Sequence, residues 1–454
     1  MKPKFLTLTQ IATWVEGRLI GADTTIDSVS TDTRTLTSGA LFVALQGPKF
    51  DGHDYASQAA TKQANALLVN RQLPISLPQI VVTDTLQALQ TLATAWRNTL
   101  TAHVVAVTGS NGKTTTKELI TQILSQAGST QATKGNLNNA IGVPLTLLTA
   151  RDQAYLVIEM GANHPGEIAI LSAITRPDVA IITNAGRAHL EGFGSTAGVA
   201  NAKGEIFSGV NANGICILNA DDNWFPLWKE LADTRSIITF GRKKTANVTL
   251  DMIEMPLQLT SNGFYSQVRL STPRGTLVLD LALAGDHNLM NVLAAVAVAE
   301  ALNIDHKAIK AGIANVKPVP GRLCPKITIT GTKLIDDSYN ANPDSVRAAL
   351  TVLGSIPAQR RWLALGDLGE LGPEAANLHK NIGEEAHEAG IDYLWATGTL
   401  SLHAVTAFGA NGRHFIDKNA MIAELVNELQ PNDLILVKGS HSAAMDQVVS
   451  ALIK

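Results

Sequence analysis

The sequence predicts an α/β protein built from three units, a small mixed one followed by two parallel-sheet ones. Three observations carry that expectation. From about residue 103 onward, short apolar β runs alternate with helical patterns, the signature of a parallel sheet covered by helices. The stretch "VTGSNGKTTTKEL" (107–119) places a glycine-rich turn between such a strand and a helix. "VKPVPGRL" (316–323) sets two prolines close together, which stops helix and strand alike, and the alternation resumes beyond it. A chain of 454 residues has the length of about three domains. The expected bounds are 1–82, 83–317 and 318–454.

In the first unit, "LFVAL", "ALLVN" and "QIVVT" read as short strands broken by Gly, Pro and Asp. Near residue 84 the spacing changes to three and four, so "DTLQALQTLATAWRNTL" reads as a helix. "HVVAVTG" is a buried strand. In "TTTKELITQILSQAG", Leu119, Ile120, Ile123 and Leu124 share one helical face and Gly128 is a stop signal. "YLVIEMG", "DVAIITNAG" and "GICILNADD" are further strands, residues 246–284 alternate with period two and read as antiparallel hairpins, and "HNLMNVLAAVAVAEALN" reads as a helix. In the last unit "KLIDDS", "RWLALGD", "DYLWATG" and "DLILVKGS" are strands, mostly with a helix after each. Ligands of such sheets sit beyond the carboxyl ends of the strands.

Composition excludes several classes. Lys and Arg number 36 against 39 Asp and Glu, a formal charge of −3, so no overall field draws the chain to nucleic acid or anionic membrane. Cys216 and Cys324 form neither a framework nor a C-x-x-C pair and fit a reducing compartment. The N-terminal stretch lacks a continuous apolar region, and no apolar run nears the ~20 residues of a membrane span. The expectation is a cytoplasmic protein with no nucleic-acid partner and no membrane insertion.

The glycine turn reads as a phosphate cradle. Glycines let backbone N–H groups approach phosphates, and a helix N-terminus adds partial positive charge. Lys113 would reach terminal phosphates, and Thr114 would offer its hydroxyl to Mg²⁺. The spacing is short, since the common loop is G-x-x-x-x-G-K-[ST] and here only two residues separate Gly109 from Gly112. A plain glycine turn opening an ordinary helix is the competing reading. Glu159, at the end of the next strand, suits a hard cation that wants oxygen ligands. His189 lies just past the following strand, and Lys203 opens "AKGEIF"; alone they read as a structural histidine and a surface lysine.

Taken together, "TGSNGKTTT", "EMGANHPGEI", "TNAGRAHLEGFGS", "AKGEIF", "GDHNLMN", "VPGRL" and "DDSYNANPDS" resemble the Mur ligases of peptidoglycan synthesis, in order along the whole chain. The loop T-G-x-x-G-K-T is that family's variant. The resemblance implies a small substrate domain, a central P-loop ATPase domain and a C-terminal Rossmann-like domain. Thr108, Gly109, Ser110, Asn111, Gly112, Lys113, Thr114 and Thr115 would hold ATP phosphates, with Asn288 and Asn291 near adenine. Arg322 and Asp337 would meet the nucleotide on domain closure. Thr114, Glu159, His189 and Lys203 would serve two Mg²⁺ ions, with Lys203 carrying a carbamate. Thr33, Arg34 and Gly47 would bind the uridine nucleotide, Asn138 and Asn139 the muramoyl peptide, and Asn340 and Asn342 the incoming dipeptide.

"DDSYNANPDS" and "VKGSHSAAMDQVV" resemble the branch that adds D-alanyl-D-alanine to UDP-N-acetylmuramoyl-tripeptide. The implied activity is an ATP-dependent amide ligation by a monomer. Lys113, Glu159, His189 and Lys203 would be catalytic. Two readings compete: a related ligase adding a single amino acid, such as a folylpolyglutamate synthetase, and a P-loop ATPase that forms no amide.

Overall fold

The computed structural model describes residues 6–186, 190–260 and 263–453. Each of the three larger sheets is built from one contiguous stretch of chain. The first has five strands in the spatial order Arg18–Ile20, Gln79–Val81, Ala66–Val69, Ala40–Val43, Ser28–Ser30, parallel except at the Arg18–Ile20 edge.

The second sheet has nine strands. Its order runs Thr130–Ala132, Tyr155–Glu159, His103–Thr108, Val179–Ile182, Ile215–Asn219, Ser236–Gly241, Val248–Thr260, Gly263–Thr272, Gly275–Leu281. The first seven run parallel, and the last two turn back as the hairpins their period-two pattern implies. His103–Thr108 is apolar from 104 to 107 because both its faces are covered there. Val105 and Val107 pack against helices Lys113–Ser125 and Asp286–Ala301, while Val104 and Ala106 face helix Thr85–Arg97. Residues 292–299 are at most 1% exposed. A helix apolar on all sides must be buried, and this one packs on the sheet beside helix Lys113–Ser125.

Helix Thr85–Arg97 is capped by Asp84, whose carboxylate accepts from the N–H groups of Leu86 and Gln87. It packs on helix Gly142–Thr149, and Trp96 Nε1 donates to Ala150 O at 3.0 Å. The first sheet thus shares a continuous core with one face of the second.

The third sheet has the order Cys324–Ile327, Lys333–Asp337, Leu434–Lys438, Arg361–Gly366, Tyr393–Thr397, Gly412–Phe415. All neighbours are parallel except at the Cys324–Ile327 edge. The two outer strands escaped the sequence reading for a physical reason. Edge strands are half solvated, so Gly412–Phe415 shows no apolar run, and Cys324–Ile327 carries a proline, which only an edge tolerates. The long hairpin of the second sheet reaches this unit, where Leu257, Leu259 and Phe264 join the third sheet's core.

Candidate active site

Strand His103–Thr108 lies between Tyr155–Glu159 and Val179–Ile182, so the glycine turn leaves the sheet with a strand end on either side. That arrangement crowds the turn, and both its positions at 109 and 112 require glycine. Gly109 and Gly112 have φ of +149° and +80°. A Cβ on Gly109 would collide with Thr183 Oγ1, and one on Gly112 with Asn291 Oδ1. The loop is braced from the side. Thr183 Oγ1 and Asn184 Nδ2 donate to Asn111 O at 2.6 and 3.1 Å. The N–H of Asn111 donates to Asn184 Oδ1 at 3.0 Å, and that of Ser110 to Asn184 O at 2.9 Å. Behind the loop, Thr108 Oγ1 donates to Met160 O at 2.8 Å. Lys113 curls over it, with Nζ donating to Gly109 O at 2.6 Å and Ser110 O at 3.2 Å. Desolvation holds the Lys113 ammonium below the ordinary lysine range.

Register puts Val107 opposite Glu159. Glu159 is 2% exposed. Its Oε1 accepts from Asn138 Nδ2 at 2.9 Å, and its Oε2, also buried, has no hydrogen-bond partner. A buried carboxylate oxygen left unsatisfied beside a phosphate cradle fits a cation. Among the described residues no group of three His, Cys, Asp or Glu could hold a metal. A cation here would therefore use Glu159, the Thr114 hydroxyl and phosphate oxygens, which is how Mg²⁺ is commonly held. Asn139 Oδ1 accepts from the N–H groups of Ile141 and Gly142, so this side chain fixes the start of helix Gly142–Thr149.

Lys203, in the last turn of helix Thr196–Gly204, is 1% exposed. Its Nζ lies 5.1 Å from the Phe193 ring centroid. Burial first, and the Lys113 charge second, pull its amine down to about 7. His189 lies outside the described residues.

A cavity of about 870 Å³ opens over the loop. The second unit contributes residues 110–115, Asn138, Asn139, Glu159, Asn288 and Asn291 to its wall, and the third contributes Arg322, Asp337, Asn340 and Asn342. The two helix asparagines form a chain: Thr116 Oγ1 donates to Asn291 Oδ1, Asn291 Nδ2 to Asn288 Oδ1, and Asn288 Nδ2 to Ala284 O. Arg322 donates to Thr114 Oγ1 at 3.4 Å and stacks 4.5 Å from the Tyr339 ring centroid. Asp337 Oδ1 accepts from the N–H of Leu323 at 3.1 Å, and Oδ2 from Lys438 Nζ at 2.5 Å. Asn340 Oδ1 accepts from the N–H groups of Ala341 and His441, and Lys438 Nζ donates to Asn340 O at 3.1 Å. Asn342 caps helix Pro343–Ser355, and its Nδ2 donates to Asn111 Oδ1 at 2.7 Å.

The three first-unit candidates stand away from this cavity. Buried Thr33 donates to Gln58 Oε1 at 2.6 Å, exposed Arg34 pairs with Asp32, and Gly47 sits in the hairpin with Phe50–Asp51. Three residues with clear places in the site escaped the sequence reading. Thr183 and Asn184 brace the loop, and half-buried His287 lines the cavity; Lys438, in the "VKGSHSAAMDQVV" stretch the sequence singled out, holds Asp337. Each sits at a strand end or helix start pointing at the loop or cavity, a position that a sequence marks only once strand order is known.

Comparison with known proteins follows the same outline. Residues 25–97 match the Mur ligase family catalytic domain, 107–299 the Mur ligase middle domain and 321–441 the Mur ligase glutamate ligase domain. The UDP-N-acetylmuramoyl-tripeptide–D-alanyl-D-alanine ligase of Escherichia coli K12 is 48% identical, over 98% of each chain. A crystal structure of MurF from Acinetobacter baumannii superposes with a TM-score of 0.92 at 34% identity, covering 100% of this chain and 99% of that one. MurF from Thermotoga maritima in complex with ADP superposes with a TM-score of 0.83 at 27% identity, covering 94% and 96%. The chain belongs to the Mur ligase family.

Proposed function

We propose that the chain joins D-alanyl-D-alanine to UDP-N-acetylmuramoyl-tripeptide with hydrolysis of ATP to ADP and phosphate, making the UDP-linked pentapeptide precursor of peptidoglycan. The observation that carries this reading is one cavity shared by a phosphate loop, a buried carboxylate and the strand ends of the third sheet, in a chain 48% identical end to end to a ligase of that name. A nucleotide-linked substrate and ATP belong to the cytoplasm, which is where this reading sets the reaction.

Amide formation from a carboxylate and an amine needs an activated carbonyl. The tripeptide's terminal carboxylate oxygen attacks the γ-phosphorus of ATP, and ADP leaves. The dipeptide's amine then attacks the acyl carbon, loses a proton, and phosphate leaves. The first step brings two anions together, so catalysis rests on positioning and neutralisation. Lys113 and the loop's N–H groups hold the phosphates. Asn138 orients Glu159, whose free oxygen and the Thr114 hydroxyl would hold Mg²⁺. That ion supplies charge neutralisation at the phosphate oxygens. A lysine amine brought down to about 7 has a neutral fraction at physiological pH. That supports carbamylation of Lys203: nitrogen bonds to the carbon of CO₂, a proton leaves, and a cation becomes an oxygen-donating anion suited to a second ion. Arg322, Asp337 and Asn340 would contact the nucleotide and dipeptide from the third unit. Thr33, Arg34 and Gly47 would anchor the uridine nucleotide away from the chemistry. The units acting in these steps are taken as 1–82, 83–317 and 318–454.

The test is phosphate release from ATP and Mg²⁺ with the UDP-tripeptide and the dipeptide supplied singly and together, the product followed by mass. Release that needs both, with a product heavier by the dipeptide, is expected. Turnover with neither would make the protein an ATPase, and activity with a single amino acid would move it to another ligase branch.

A further inference from the structure

We infer that Asn342 is a positioning residue that latches the third unit onto the nucleotide loop, rather than a contact for the dipeptide. The inference rests on the reaction proposed above and deepens it. The geometry leaves the side chain little freedom. Asn342 Oδ1 accepts from the N–H of Ser345 at 2.9 Å, and the N–H of Asn342 donates to Ser345 Oγ at 2.9 Å, a reciprocal cap of helix Pro343–Ser355. With its oxygen committed to the cap, the amide must point its Nδ2 outward, and it donates to Asn111 Oδ1 at 2.7 Å.

Asn111 is the tip of the loop, and its backbone is itself gripped by Thr183 and Asn184. The hydrogen bonds therefore run unbroken from the acceptor-side helix, through the loop tip, to the end of the neighbouring strand. A second contact runs alongside: a Cβ added to Gly186 would sit 2.9 Å from Asp344 Oδ2, so the first turn of the same helix lies against the strand-end segment next to the loop. Arg322 adds a longer reach to Thr114. Seating the third unit and ordering the loop are thus one event. A reactive acyl phosphate should form only when the unit that brings the amine is docked.

Ser is as good an N-cap as Asn but too short to bridge, so Asn342→Ser separates the latch from the cap. Losing one part-buried amide bridge should weaken docking about five- to tenfold. Two readouts test it. In nucleotide-free protein, amide hydrogen exchange of residues 108–113 should quicken in Asn342→Ser with the melting temperature unchanged, and Asn342→Ser should add nothing in an Asn111→Ala background. With ATP, UDP-tripeptide and saturating dipeptide, phosphate released per amide formed should rise about fivefold above the wild-type uncoupled fraction. Unchanged exchange and unchanged coupling would overturn the latch. So would a raised KM for dipeptide with coupling restored at saturation, which would make Asn342 a dipeptide contact. Wild-type protein that forms no amide would refute the proposed reaction, while the exchange arm would still decide the latch.

Discussion

Lys203→Met should stabilise the protein while abolishing ligation. The unmodified lysine is 1% exposed, and burial lowers its amine from 10.5 to about 7. That shift of roughly 3.5 units corresponds to about 4–5 kcal/mol at 1.36 kcal/mol per unit. Met fills similar volume and carries no charge to desolvate. Allowing for imperfect packing, the variant should gain about 2–4 kcal/mol at pH 7 in metal-free, CO₂-free buffer. For a unit of this size that raises the melting temperature by roughly 5–15 °C by calorimetry. The pH dependence identifies the cause. Between about 7 and 10.5 the unfolded chain holds a proton on this amine that the folded chain has released. Wild-type stability therefore rises with pH across that window, by up to about 1.4 kcal/mol per unit. The gap between variant and wild type should shrink as pH goes from 7 to 9. A variant less stable than wild type, or a gap that ignores pH, would refute the reasoning.

Gly112→Ala forces a Cβ into Asn291 at a φ of +80° and should cost about 1–3 kcal/mol locally, read as a tenfold or greater loss of kcat/KM for ATP. Asn138→Asp replaces the donor to Glu159 Oε1 with a like charge, so kcat should fall about tenfold or more while circular dichroism stays native. His379 is fully buried; its Nε2 accepts from the N–H of Leu368 and its Nδ1 donates to Ala375 O, and burial lowers its pKa from 6.5. The folded chain keeps it neutral, so its contribution is present above pH 6.5 and lost as pH falls toward the lowered value. Urea melts at pH 7.5 and 5.5 should show that loss in wild type and a smaller one in His379→Ala, itself weaker by about 1–3 kcal/mol through the orphaned Leu368 N–H.

Much was legible in the chain itself. The alternation of β runs and helices, the period-two hairpins of 246–284 and the buried helix around 292–299 follow from which faces must be covered. So does the cradle, since a glycine turn with Lys113 and Thr114 between strand and helix carries its own chemistry. Edge strands such as Gly412–Phe415 were not legible, because half-solvated segments leave a weak pattern.

The site divides along the same line. The sequence named Glu159 because a carboxylate at a strand end suits a cation, and Asn138 and Asn342 through the family resemblance. Only the tertiary structure decided their partners. Strand order set Glu159 beside the loop, and the free Oε2 beside its bond to Asn138 appears only once both are folded. The two glycines were visible, but the reason only glycine fits there was the crowding by Thr183 and Asn291, residues 74 and more positions away in the chain. The bond from Asn342 to Asn111 spans 231 residues. Local pattern records what a segment needs buried or exposed. Which atoms meet across such distances is fixed by strand order and helix docking, and no local pattern encodes that.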